Sequence, residues 1–78
     1  MIVDVALFAS LSGFHTHEGQ GHTRQYDLAP GTTITDVISF LGLPDQPRIV
    51  FVGGIHAEET AELHAGERLA IFSPVAGG

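Results

Sequence analysis

The stretch "PGTTITDVISFLGLP", residues 30–44, carries the clearest local signal in the chain. Ile34, Val37, Ile38 and Leu41 fall at i, i+3, i+4 and i+7, a single apolar stripe at helical spacing. Thr33, followed three residues later by Asp36, approximates a capping box, and Asp36 also suits the positive end of a helix dipole. Gly42 supplies a C-terminal cap and Pro44 bars continuation. The spacing predicts a helix over about 33–41. Its β-branched residues have poor helix propensity, so so short a helix must be held by laying its stripe on a sheet.

The flanking segments supply that sheet. In residues 2–8, Val3, Val5 and Leu7 share one face at period two, with Ile2, Ala6 and Phe8 opposite. Only Asp4 interrupts the run, which reads as a strand buried on most of both sides. Residues 9–22 hold three glycines and three of the five histidines with no sustained period, and read as a long loop. A second strand is expected at about 23–29, where Arg24, Tyr26 and Leu28 alternate with Thr23, Gln25 and Asp27. Beyond the helix, "RIVFV" at 48–52 is a third strand, and Gly53 and Gly54 turn it into a short fourth at about 55–57. "EETAELHAGE", residues 58–67, reads as polar connection, ending in a tight turn at Ala65, Gly66 and Glu67. The last strand runs from Arg68 to Phe72. One helix over one face of a mixed sheet of four to five strands is an α+β, two-layer roll, and this element order is that of the ubiquitin-like β-grasp. The domain is expected over residues 1–72, with a flexible tail at 73–78.

Composition narrows the function. A chain of 78 residues supports one small domain. No apolar run approaches the roughly 20 residues that span a bilayer, and "MIVDVALFAS" lacks the positive flank of a signal peptide. With no cysteine there is no disulfide frame or thiolate metal site, and a cytoplasmic location is the default expectation. Three arginines, Arg24, Arg48 and Arg68, face nine carboxylates, for a net charge of −6. Three scattered cations cannot displace the counterions of a nucleic-acid backbone, so nucleic acid is excluded as a partner class. Such acidity suits a basic protein surface, and it equally serves to keep a small protein soluble. Lysine, ordinarily among the commonest residues, is absent, which would suit a chain bearing an activated acyl group.

The tail reads "SPVAGG", residues 73–78. Pro74 fixes its own φ and biases Ser73 to extended geometry, so the segment should leave the domain as a directed arm. Val75 and Ala76 are small enough for a narrow slot. Gly77 and Gly78 let the backbone run down a channel too tight for a Cβ. The functional group at the tip is an α-carboxylate, ionised at neutral pH and a poor electrophile until activated.

"LAIFSPVAGG", together with "PGTTITDVISFLGL" and "HAGERL", resembles the MoaD/ThiS family of ubiquitin-like sulfur carriers. Members typically end in Phe-Pro-Pro-Val-Ala-Gly-Gly after a Gly-Asp-x-Val-like turn. Phe72, Pro74, Val75, Ala76, Gly77 and Gly78 match that ending, while Ser73 replaces its first proline. The resemblance covers essentially the whole chain. It implies that Gly78, with Gly77 before it, is adenylated by a ubiquitin-activating-like enzyme that uses ATP, then converted to a thiocarboxylate. Phe72, Pro74, Val75 and Ala76 would bind the partner, and no cofactor would be held by the chain itself. Length and the long connection after the first strand are closest to the small subunit of molybdopterin synthase, whose tail enters the large subunit and gives sulfur to a pterin precursor. The helical segment usual after the first strand is absent, and "SGFHTHEGQGH" stands in its place. A thiamine-type carrier, or a protein modifier joined to targets through Gly78, is the alternative reading.

Other constellations carry less. His15, His17 and His22, with Glu18, offer nitrogen and oxygen donors, but their spacing matches no zinc signature and no metal is assigned. His56 and His64 are isolated and expected at the surface, and Glu58, Glu59 and Glu62 are expected on a solvated, partner-facing edge. No nucleophile–base pair and no phosphate-cradling glycine loop is present, so the chain is not expected to carry a self-sufficient active site.

Overall fold

The computed structural model describes residues 1–8, 23–45 and 47–72. The elements are β1 (Ile2–Leu7), β2 (Thr23–Asp27), α1 (Ile34–Leu41), β3 (Ile49–Val52), β4 (Ile55–His56) and β5 (Arg68–Phe72). They form one five-stranded sheet in the order β2-β1-β5-β3-β4. β1 and β5 run parallel at its centre, and every other pairing is antiparallel. The β-grasp expectation holds, with each strand assigned within one or two residues of its expected bounds.

Alternation along the strands sorts the sheet into two faces. Val3, Val5 and Leu7 of β1, Tyr26 of β2, Val50 of β3, and Leu69 and Ile71 of β5 turn to one side. The stripe of Ile34, Val37, Ile38 and Leu41 closes over them, and together they make the core. Removing that much apolar surface from water is what holds a helix of eight residues, too short to persist by itself.

The helix ends are fully built. Asp36 N–H donates to Thr33 Oγ1 at 3.1 Å, and Thr33 N–H donates to Asp36 Oδ2 at 2.9 Å, a complete capping box. Ile34 N–H donates to Ala61 O at 3.0 Å and Thr35 N–H to Glu59 O at 2.8 Å. The amides that an α-helix leaves open at its start are therefore satisfied by residues of the following connection. At the other end Gly42 adopts φ 69°, and Gly42 and Leu43 N–H return to Ser39 and Ile38 carbonyls, the paired bonds of a Schellman close. Gly53 and Gly54, both at positive φ, make the two-residue turn between β3 and β4.

Two expectations need correction. Residues 58–67 are not merely a polar connection: Leu63 is 1% exposed and joins the core, and Glu62 forms a bridge with Thr33. Leu63 is the one large apolar residue of the run, and its alternation with the small Ala61 and Ala65 is too weak a pattern to mark a core position. β1 is also less buried on its second face than expected. Ala6 is buried there, but Ile2 is 48% exposed and Phe8 half-buried. The helix covers only one side of the sheet.

Candidate functional site

The candidate site is the side of the sheet opposite α1, over which none of the described elements packs. Phe8 follows β1 one step beyond core-facing Leu7, and its amide bonds Ile71 O at 3.1 Å, so the strand direction carries its ring to the open face. Phe72 closes β5 on the same face, and Phe51 of β3 is the register partner of Ala70 beside it. Phe8 and Phe72 stack with centroids 4.4 Å apart and planes inclined by 8°. Phe51 meets Phe72 edge-on at 5.7 Å, and His56 meets Phe51 edge-on at 5.9 Å. Aromatic pairs in these geometries gain about 0.5–1.5 kcal/mol beyond their burial, which fixes the rings without covering them. Phe8, Phe51, Gly54, Arg68, Ala70 and Phe72 line a shallow concavity of about 250 Å³. A half-buried aromatic platform of this kind is suited to a protein partner.

A second cluster anchors the strand beside the end of β5. Ile49 is the register partner of Phe72, and Arg48 immediately precedes it. Arg48 Nε and Nη2 donate to Glu59 Oε2 and Oε1 at 2.9 and 3.2 Å, and Nη1 donates to Pro44 O at 3.1 Å. The two-point fork ties the start of β3 to the connection that caps α1. Glu59, expected on a solvated edge with Glu58 and Glu62, is instead half-buried in this pair, while Glu58 and Glu62 are exposed. His56 and His64 are exposed, as expected. His64 Nδ1 lies 3.5 Å from Glu67 Oε1.

Of the residues singled out from sequence for binding, Phe72 sits at the centre of the open-face cluster. Pro74, Val75, Ala76, Gly77 and Gly78 lie outside the described residues, as do His15, His17 and His22. Among the described residues no group of acidic and histidine side chains could hold a metal ion, and no helix is long and apolar enough to cross a membrane. Sequence reasoning missed Phe8 and Phe51 as site residues. Their signal was present in the alternation, since each occupies the strand phase opposite the core.

Comparison with known proteins supplies the context. The sequence profile of the ThiS family matches residues 14–78. No curated protein matches the chain. Among solved structures, the crystal structure of SAMP1 from Haloferax volcanii superposes with a TM-score of 0.74 at 24% identity, covering 100% of both chains. A crystal structure of H. volcanii small archaeal modifier protein 1 gives a TM-score of 0.72 at 23% identity, covering 95% of this chain and 98% of that one. Both likenesses are to the β-grasp fold.

Proposed function

The chain belongs to the ThiS family of ubiquitin-like sulfur carriers, and on that premise we propose that it carries sulfur as a thiocarboxylate on Gly78. The Gly78 carboxylate attacks the α-phosphorus of ATP on a ubiquitin-activating-like enzyme, forming an acyl-adenylate and releasing pyrophosphate. A sulfide-level donor then attacks the acyl carbon, the bond to AMP breaks, and the thiocarboxylate remains. ATP is consumed on the partner and is not a cofactor of this chain. The proposed chemistry belongs to the cytoplasm, where ATP is at hand.

The observation that carries this reading is the placement of Phe72. It ends β5 inside the aromatic platform, so residues 73–78 follow directly from a surface fit for docking. Six extended residues span at most about 20 Å. A partner seated on the platform would therefore need its reacting centre within that distance. Glycines at the tip suit a channel that admits only backbone. The intact mass after incubation with activating enzyme, ATP and sulfide tests the reading. It should rise by the difference between one sulfur and one oxygen; a mass that never changes counts against it.

The most specific form of the proposal gives the sulfur to a pterin precursor in the large subunit of a molybdopterin synthase, supported by the tail "FSPVAGG". A second reading, conjugation to target lysines through Gly78, is favoured by the likeness to small archaeal modifier protein 1. A ladder of high-mass adducts on a tagged chain in its host would favour conjugation.

A further inference from the structure

Among the described residues, the wall of the concavity opposite α1 has one charged member. Arg68 lines it beside Phe8, Phe51, Ala70 and Phe72, and is exposed. The other two arginines are engaged elsewhere. Arg48 is forked onto Glu59, and Arg24 sits in register with Val5, on the helix-facing side of β2. Asp4 is the register partner of Arg68 on β1 and shares its face. No ion pair forms between them, and among the described residues Arg68 makes neither an ion pair nor a side-chain hydrogen bond. A guanidinium in an apolar wall keeps its water only while the wall is uncovered. A partner that covers the wall must replace that water with an acceptor, and a carboxylate does so best because it matches the fork.

The concavity's size and the chain's charge choose the occupant. At about 250 Å³ it is smaller than the roughly 300–1,000 Å³ of small-molecule sites, and it suits a single large side chain. A second copy of this chain would bring another net charge of −6. We propose that Arg68 is a specificity determinant that pairs with a carboxylate of the activating enzyme, placed beside an apolar side chain filling the concavity. This assignment rests on the carrier reading above. It runs against the trend of the whole surface, because an acidic chain otherwise favours a basic partner. Arg68 thus fixes orientation where general attraction does not.

The test is ATP–pyrophosphate exchange by the ubiquitin-activating-like enzyme of the same genome, with the full chain as acyl substrate. Arg68→Glu should raise KM for the chain by about tenfold or more, and Arg68→Gln by less, with kcat unchanged at saturation. Phe51→Ala should also raise KM. If Arg68→Glu lowers KM or leaves it unaltered, the enzyme presents no carboxylate there and the assignment is wrong. Equal losses for Gln and Glu would mean that only the aliphatic stem of Arg68 matters, which also overturns it. Absence of exchange with the unaltered chain is a different failure: it overturns the carrier reading and this assignment with it.

Discussion

Phe8 and Phe72 stack at 4.4 Å across the central parallel pair of β1 and β5. Residues 9–22 leave from Phe8 and residues 73–78 leave from Phe72. The platform therefore sits where the two least regular segments of the sequence begin. Under the carrier reading proposed above, the rings would recognise the partner and the segment that follows Phe72 in sequence would carry the reacting group.

Loss of one ring should separate docking from folding. Phe8→Ala is expected to cost about 2 kcal/mol of stability, since both the stacked pair and the burial of a half-covered ring are lost. KM for the chain in adenylation should rise while kcat holds. An unaltered KM would show that the partner reads another surface.

Leu63 is the hidden core residue of the connection between β4 and β5. Leu63→Ala should lower unfolding free energy by about 2–5 kcal/mol, as for other buried leucines. Urea titration checks this. A loss below the lower bound would mean that the connection closes over the void or contributes little to the core.

The Arg48–Glu59 fork is partly buried, with side-chain exposures of 16% and 36%. Glu59→Ala should cost about 1–3 kcal/mol, because it strips charged hydrogen bonds from a guanidinium that water reaches poorly. Replacing both residues by apolar ones of similar size should recover most of the loss. A double variant as unstable as the single one would show that the pair does more than satisfy itself.

Thr33→Ala should cost about 1 kcal/mol by opening the capping box, and Thr33→Ser should restore it. Thermal melts of the two variants decide the point. Equal melting temperatures would assign the hold on the first turn to the Ala61 and Glu59 carbonyls alone.

Much of the fold was legible because its signals are periodic. The helix stripe, its Thr33–Asp36 cap, Gly42 and the Gly53–Gly54 turn each declare a local geometry, and all four are present. Leu63 escaped because its period-two neighbours, Ala61 and Ala65, are too small to make the alternation stand out in a polar run. The fork of Arg48 on Glu59 escaped because it joins residues brought together only by the β3–β4 hairpin and the return to α1. The open face was half legible. Alternation puts Phe8, Phe51 and Phe72 out of phase with the core, but only pairing of β1, β5 and β3 places the three rings side by side. Alternation puts Arg68 in phase with Ala70 and Phe72, but its meaning lies in the apolar wall around it and the missing bond to Asp4, which sequence does not show.

The reacting group proposed above is a free Gly78 carboxylate. The direct measurement is ATP–pyrophosphate exchange by the activating enzyme on a chain extended by one alanine after Gly78, purified intact, beside the unextended chain. Exchange should vanish for the extended chain while its melting temperature stays the same. Undiminished exchange on a chain whose mass shows the alanine still attached would contradict the claim.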